Sequence, residues 1–108
     1  MDTIENRFKG RDYEVRIKFP EFTCLCPVTS QPDFAEIIID YVPLDLLVEL
    51  KSLKLYLNAY RNEGIFHEEA VNRILDDFVQ KVHPKRVLVT GNFNVRGGLY
   101  TTVKASYP

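Results

Sequence analysis

The clearest pattern in the chain is an alternation of apolar and polar residues between positions 11 and 19. The apolar members are Tyr13, Val15, Ile17 and Phe19, and the polar members between them are Asp12, Glu14, Arg16 and Lys18. A period of two is typical of a half-buried β-strand, and we predict that Pro20 ends it. Residues 34–42 (FAEIIIDYV) are mostly apolar and rich in β-branched side chains. They predict a second strand, which Pro43 closes.

Two helical periodicities follow these strands. In the first, apolar residues recur at spacings of three and four, namely Leu46, Leu50, Leu53, Leu57 and Tyr60. Ser52 is a candidate N-cap for this helix, with residues 46–51 as an approach segment, and Gly64 is a natural stop. The second helix is predicted at about residues 67–82, before His83-Pro84. Its predicted inward face consists of Val71, Ile74, Leu75, Phe78 and Val82.

Two further strands complete the predicted fold. They cover residues 86–93 and 99–105, joined by a loop at 94–98. The order ββααββ predicts a single α+β domain, residues 1–108, with an antiparallel sheet and two helices on one face. Residues 1–10 are polar and are predicted to be loosely held. Such a sheet has two open edges and one uncovered face, which favours oligomerisation.

Composition narrows the function classes. Fourteen basic and fifteen acidic residues give a net charge of −1, so neither a nucleic acid nor a membrane surface is an expected partner. No apolar run approaches the roughly 20 residues that span a bilayer, and the first residues lack the apolar core of a secretory signal. The two cysteines form no disulfide framework and no zinc-type spacing. We therefore expect a cytoplasmic protein with reduced thiols and no metal.

The segment whose residues are best suited to catalysis is EFTCLCPVTSQPDF, residues 21–34. Cys26 directly precedes Pro27, and Asp33 directly follows Pro32. The prolines fix the backbone and remove donors, so a loop is expected here. A thiol and a carboxylate on one loop suggest a nucleophile with a proton donor. From these residues alone, a surface loop with a buried cysteine and a turn-capping aspartate is the more economical interpretation.

A resemblance to a known family favours the catalytic interpretation of this loop instead. It is carried by three segments, which occur in the order FTCLCPVTSQPDF, ELKSLKLYLNAYRNEGIFHEE and NFNVRGG. They resemble the short, single-module 7-cyano-7-deazaguanine reductases, over about residues 22–98. ELKSLKLY is the most specific part, because it sets these nitrile reductases apart from the GTP cyclohydrolase I-like enzymes of the same tunnelling fold. The resemblance implies that sheets of several protomers join into a barrel with sites between subunits. It points to a homo-oligomer, a decamer of two pentamers.

The resemblance also implies the chemistry. Cys26 resembles the nucleophile that adds to the substrate nitrile as a thioimide, and Asp33 resembles the acid that protonates the nitrogen. Two NADPH molecules then reduce 7-cyano-7-deazaguanine to 7-aminomethyl-7-deazaguanine, a step of queuosine biosynthesis for tRNA modification. Glu68 resembles the carboxylate that anchors the deazapurine base, and His67 is expected to orient substrate or to assist proton transfer. Without the resemblance, residues 66–69 are more simply a capping turn.

The cofactor site is implied by two segments. The polar members of ELKSLKLY are Glu49, Lys51, Ser52 and Lys54. Lysines at a helix N-terminus with a capping serine would suit the NADPH phosphates, although a solvated helix face has the same composition. Arg96, before Gly97-Gly98, resembles a family loop near the bound ligands. As a bare motif it is only a turn with an exposed arginine.

Other readings remain open. An amidinotransferase-like relative would form the same thioimide and pass it to ammonia, but such relatives lack ELKSLKLY. A binding module for a purine or pterin would need Glu68 and neither Cys26 nor Asp33. A zinc-dependent cyclohydrolase is disfavoured because further Cys and His ligands are missing. Family members often carry a second cysteine just after the HE pair, where this chain has Ala70.

Overall fold

The computed structural model describes residues 1–108 and confirms the α+β class. Six strands, two α-helices and a short 3-10 helix follow one another along the chain. They are β1 (Thr3–Glu5), β2 (Val15–Leu25), β3 (Pro32–Val42), β4 (Leu46–Val48), α1 (Leu50–Asn58), the 3-10 helix (Ala59–Asn62), α2 (His67–Val82), β5 (Arg86–Arg96) and β6 (Leu99–Tyr107). The predicted ββααββ order is therefore present, with the short strands β1 and β4 added to it.

The main sheet has the order β2-β3-β5-β6, and all its pairings are antiparallel. Helix α2 packs across β5 and β6, and its predicted inward residues are all buried. The approach is closest at Gly91 of β5, where an added Cβ would lie 2.7 Å from Cγ2 of Val71. A side chain at this position would push the helix off the sheet, so glycine allows the close packing of α2 that places its N-terminus.

Strand β2 departs from the prediction. We expected Pro20 to end the strand, but β2 passes through Pro20 with a register shift between Phe19 and Phe22 and continues to Leu25. A proline is tolerated here because β2 is an edge strand, where a missing N–H costs no ladder bond, and a bulge accommodates it. Cys24 consequently pairs with Asp33 in the ladder. The expected long connection is reduced to the six residues between Leu25 and Pro32.

The N-terminus also departs from the prediction, because part of it is ordered in a sheet. Strand β1 pairs with β4, in the register Thr3 with Val48. Asn6 is only 1% exposed, and its side-chain amide donates to the carbonyl oxygen of Leu44 at 2.7 Å. The expectation of loosely held N-terminal residues is therefore wrong for residues 3–6. The apolar residues of β4 supply a pairing partner that the polar character of the N-terminus did not reveal.

Helix α1 begins at Leu50, whereas Leu46 lies in β4. The predicted approach segment at residues 46–51 is therefore wrong at its end, because Leu50 and Lys51 are already helical. Glu49, and not Ser52, is the N-cap, because its carboxylate accepts hydrogen bonds from the backbone N–H groups of Lys51 and Ser52 at 2.8 and 2.9 Å. The helix ends at Asn58, before the predicted stop at Gly64, and the chain continues as the 3-10 helix. None of the helices is long and apolar enough to cross a membrane.

Helix α2 has the predicted bounds, and His83 follows it in a left-handed conformation with φ of 49°. Strands β5 and β6 extend beyond their predicted ends, because only Gly97 and Gly98 form the turn between them. Both glycines have positive φ, 58° and 82°, which suits a tight hairpin turn. The predicted loop at residues 94–98 is therefore mostly strand. Arg96 is held at the end of β5 instead of on a flexible loop.

Candidate active site

A hydrogen-bonded loop holds Cys26 at the end of β2. The backbone N–H of Cys26 donates to the carbonyl oxygen of Gln31 at 2.8 Å, and the N–H of Ser30 donates to the carbonyl oxygen of Cys26 at 2.8 Å. Ser30 completes the turn with φ of 62°. Because Leu25 and Pro32 are still paired in the sheet, the loop is anchored at both ends. The thiol of Cys26 is therefore presented from a constrained turn.

The two cysteines differ in their environments. Cys24 is fully buried, with Sγ 3.9 Å from the carbonyl oxygen of Ile65, and burial raises its pKa to about 11. Cys26 is half-buried. Hydrogen bonds from the Thr29 hydroxyl and from the N–H groups of Thr29 and Val28 favour its thiolate and lower its pKa. Since the thiolate is the nucleophile, these environments favour Cys26 over Cys24 as the reactive residue.

Asp33 lies directly across the ladder from Cys24 and is 8% exposed. Its carboxylate accepts a hydrogen bond from Nη1 of Arg96, and its Oδ2 lies 3.2 Å from Nε2 of His67. The His67 ring stacks on Phe93, with centroids 3.8 Å apart and planes inclined by 7°. The fold thus brings Asp33, His67 and Arg96 together beside the Cys26 loop, although they come from β3, α2 and β5.

Glu68 occupies the first turn of α2, one residue after His67. Its side chain is exposed and forms no hydrogen bond or ion pair within the chain, while its backbone carbonyl accepts from the Asn72 side chain at 2.8 Å. The N-cap of α2 is Phe66, and no side chain caps the helix. A carboxylate in this position is compatible with the helix dipole and remains available to an external partner.

The four polar residues of ELKSLKLY lie at the N-terminus of α1, and no hydrogen bond or ion pair joins them to the Cys26 loop. Glu49 and Ser52 are engaged within the chain. Oγ of Ser52 accepts from the backbone N–H of Asp2 at 2.8 Å and donates to the carbonyl oxygen of Glu49 at 2.8 Å. Lys51 and Lys54 are exposed and form no ion pair. Two of the four predicted cofactor residues therefore have a structural role, and two are free to bind an anion.

The last residue of the same motif joins the two helices. The hydroxyl of Tyr56 donates to Oδ2 of Asp77 in α2 at 2.5 Å and lies 2.9 Å from the hydroxyl of Tyr60. Burial, together with these neighbours, raises the pKa of Tyr56. The motif consequently fixes the position of α1 relative to α2, whose first turn carries His67 and Glu68.

Sequence reasoning missed two contributors to the site. Thr29 falls within the predicted loop but is not among the predicted site residues, although a hydroxyl three positions after a cysteine in a tight turn is a candidate partner for the thiol. Phe93 was identified only as a strand residue, and nothing local in the sequence indicated that it stacks on His67. No three His, Cys, Asp or Glu side chains lie close enough together to hold a metal ion.

Comparison with known proteins extends this picture. A family model described as "QueF-like protein" matches residues 32–108. Proteins named NADPH-dependent 7-cyano-7-deazaguanine reductase are similar over 99% of this chain: 56% identical in Thioalkalivibrio sulfidiphilus, covering 83% of that protein, and 57% identical in Thermomicrobium roseum, covering 84% of it.

A solved structure shares the fold. The crystal structure of the archaeosine synthase QueF-Like in the apo form superposes with a TM-score of 0.81, at 27% identity, over 86% of this chain and 91% of that one. The family resemblance drawn from ELKSLKLY and its neighbours is thereby confirmed, as is the tunnelling fold. On these matches the chain belongs to the QueF-like protein family.

Proposed function

We propose that this chain is an NADPH-dependent nitrile reductase that converts 7-cyano-7-deazaguanine to 7-aminomethyl-7-deazaguanine, the activity that its relatives are named for. The product belongs to the queuosine pathway. One observation carries the proposal: the half-buried Cys26, with its lowered pKa, lies on a constrained turn that re-enters the sheet at Pro32, one residue before Asp33, whose carboxylate contacts His67. A nucleophile beside a proton-transferring pair is what addition to a nitrile requires.

In the first step, the Cys26 thiolate attacks the nitrile carbon. A carbon–sulfur bond forms, and one electron pair of the carbon–nitrogen triple bond moves to nitrogen. Asp33 delivers a proton to that nitrogen, directly or with His67 as its partner, and the product is a neutral thioimide on Cys26. Since a negative charge develops on the nitrogen during attack, a proton donor beside it lowers the barrier.

NADPH supplies the two hydrides that, with two protons, take the nitrile to the amine. The residues of this chain do the remaining work. Cys26 leaves as a thiolate once its bonded carbon has been reduced, and its lowered pKa makes it a good leaving group. Asp33 and His67 pass protons to the nitrogen, and the stacking of His67 on Phe93 restricts the ring to one plane.

Glu68 and His67 provide the substrate-binding surface in this proposal. A carboxylate accepts hydrogen bonds from both the ring N–H and the exocyclic amine of a guanine-type edge. Glu68 has both oxygens free within the chain and adjoins His67 in the first turn of α2. Because His67 contacts Asp33, this surface adjoins the proton donor of the same chain, while the nucleophile comes from this chain or from a neighbouring subunit.

Two of the four polar residues at the start of α1 are suited to bind NADPH directly. Lys51 and Lys54 present two unpaired ammonium groups to solvent, and these suit the phosphates of NADPH. Glu49 and Ser52 are expected to act indirectly, since their polar atoms already hold the helix start and Asp2. Direct contact of NADPH with Arg96 would require its guanidinium to leave Asp33 or to use its remaining donors.

Assembly is also part of the proposal. Strands β2 and β6 are free edges of the sheet. None of the surface cavities of the single chain, the largest about 450 Å³, is lined by Cys26, Asp33 or Glu68. A deazapurine needs walls on several sides, so a neighbouring subunit that pairs with a free edge would close the site. A homo-oligomeric barrel, a decamer of two pentamers, meets this requirement.

Mixing the protein with NADPH and 7-cyano-7-deazaguanine, and following the nicotinamide absorbance, tests the function. We expect NADPH oxidation together with formation of the aminomethyl product. A thioimide that ammonia converts to an amidine, with no NADPH oxidation, would instead indicate the chemistry of an amidinotransferase-like relative. Binding of substrate with neither adduct nor oxidation would indicate a binding module.

A further inference from the structure

Arg96 connects the two sides of the Cys26 loop through one guanidinium group. Its Nη1 donates to the Asp33 carboxylate, and its Nη2 donates to Oγ1 of Thr29 at 3.0 Å and to Oε1 of Gln31 at 3.0 Å. A guanidinium presents its donors in a rigid planar fork, so these three acceptors are fixed relative to one another. Thr29 and Gln31 precede Pro32 and Asp33 follows it, so the guanidinium group stabilises the loop at the point where the chain re-enters the sheet.

The contact with Thr29 has a directional consequence. A hydroxyl has one donor hydrogen and two acceptor lone pairs. Oγ1 of Thr29 accepts from Nη2 of Arg96 at 3.0 Å and from the backbone N–H of Gln31 at 3.3 Å, so both lone pairs are occupied. The hydroxyl hydrogen is then free to donate to Cys26, and hydrogen bonding by Thr29 is the largest cause of the lowered pKa of that thiol.

We propose that Arg96 is a positioning residue for the nucleophile, which aims the Thr29 hydroxyl at Cys26 and holds Asp33 beside it before any cofactor binds. This inference rests on the proposed function in taking Cys26 as the nucleophile. It differs from a role as cofactor ligand, because it requires Arg96 to act on the sulfur in the absence of NADPH. The bracing contacts exist within the single chain, 63 to 67 residues apart in sequence.

The charges around the loop make Arg96 distinctive. The titratable and charged groups on the surrounding elements are Cys24, Asp33, Glu63, His67, Glu68, Arg73 and Arg96. Arg73 is paired with Glu63 and Glu69, so the cation that donates to the loop and to Asp33 is Arg96. Its replacement by a neutral residue would leave the Asp33 carboxylate without its ion pair and the Thr29 hydroxyl without its orientation. Both changes disfavour the Cys26 thiolate, so the pKa of the thiol rises.

The first test measures alkylation of Cys26 by iodoacetamide as a function of pH, with peptide mass spectrometry on the assembled protein without NADPH. Arg96→Gln is expected to raise the midpoint by about one pH unit. Arg7→Gln, which removes an exposed arginine with no ion pair, is the matched control and leaves the midpoint unchanged. Thr29→Val is expected to raise the pH midpoint of Cys26 alkylation, whereas Thr29→Ser, which keeps the hydroxyl, is expected to leave it unchanged. Because Arg96 acts through Thr29, the double variant Arg96→Gln with Thr29→Val is expected to shift the midpoint by less than the sum of the two single shifts.

The second test measures the rate of adduct formation with 7-cyano-7-deazaguanine without NADPH, and separately the KM for NADPH. We expect Arg96→Gln to slow the adduct roughly tenfold, following the smaller thiolate fraction. An unchanged alkylation profile and adduct rate, with only a raised KM, would overturn the inference and make Arg96 a cofactor ligand. If the wild type forms no adduct, the proposed function fails, while the alkylation profiles still decide the role of Arg96.

Circular dichroism and light scattering establish that each variant folds and assembles. If Arg96→Gln does not fold, Arg96→Lys and Thr29→Val provide the same readout. Lysine keeps the positive charge but lacks the planar guanidinium donors. Arg96→Lys is therefore expected to raise the pH midpoint of Cys26 alkylation by less than half of the shift expected for Arg96→Gln. A wild-type profile in both of these variants would contradict the inference.

Discussion

Nε2 of His67 lies 3.2 Å from Oδ2 of Asp33, and this contact joins the first turn of α2 to the start of β3. The two residues are far apart in sequence, and each is held by a second constraint. Phe93 stacks on the imidazole ring, and Arg96 donates to the other carboxylate oxygen. Because both side chains are already held in place, the pair is preorganised to exchange protons with a substrate nitrogen.

Replacement of Asp33 by asparagine is expected to preserve folding and substrate binding but to lower turnover about 10²–10⁴-fold, since an amide cannot transfer the proton. Steady-state NADPH oxidation measures the loss, and calorimetry measures binding. Asp76→Asn, at an exposed position in α2, is the control and should retain full activity. Normal turnover by Asp33→Asn would reduce Asp33 to a turn residue and make His67 the next candidate acid.

Cys26 should carry the only substrate adduct when NADPH is withheld, one per chain by intact-mass spectrometry. Cys26→Ala should abolish adduct and turnover, whereas Cys24→Ala should keep both. The pH dependence follows from the two environments. Because the pKa of Cys26 lies below its ordinary value and that of Cys24 is about 11, alkylation of Cys26 should begin at lower pH. An adduct on Cys24 alone would contradict the assignment.

Replacement of Glu68 by leucine should weaken substrate binding by about 2–3 kcal/mol, because the guanine-type donors would lose their acceptor in a closed site. Glu69→Leu is the matched control. Glu69 is the next residue of the same turn, and its carboxylate pairs with Arg73 at 3.0 Å. Titration calorimetry on both variants separates the roles. Equal affinity in Glu68→Leu and wild type would leave Glu68 with only a favourable interaction with the helix dipole.

Lys51→Gln and Lys54→Gln should raise the KM for NADPH and leave thioimide formation unchanged, because the ammonium groups would contact cofactor phosphates and not the nitrile. Lys81→Gln, an exposed lysine in the last turn of α2, controls for net charge. Both parameters come from NADPH titrations and from adduct rates without NADPH. Equal loss of adduct formation would show that the start of α1 shapes the substrate pocket instead.

Subunit mixing tests whether each site needs more than one chain. Cys26→Ala is expected to be inactive alone, since it lacks the nucleophile, and Glu68→Leu is expected to have little activity at low substrate concentration, since it lacks the base anchor. Exchange between the two variants should restore part of the activity if Cys26 and Glu68 from different chains meet at one substrate. Light scattering gives the complementary measurement. A fully active monomer at assay concentration would exclude the shared site.

Much of this protein was predictable because the relevant forces act over short distances in sequence. The bounds of α2 follow from its apolar periodicity and from His83-Pro84, and β3 follows from its β-branched run and Pro43. Cys26 and Asp33 were identifiable as candidates because three ordered segments resemble one family. The similarity of the whole chain to relatives more than 50% identical confirms the family, whereas the roles of the individual residues stay predictions.

Only the tertiary structure decided the features that depend on distant partners. Pro20 lies within a strand because β2 is at the edge of the sheet, which no local pattern shows. Ser52 lost the predicted role of helix cap because Glu49 satisfies the helix start, while the Ser52 hydroxyl accepts from Asp2. Arg96 reaches Asp33 and Thr29 across more than 60 residues. Local periodicity determined the elements, and the pairing order of the strands determined which side chains meet.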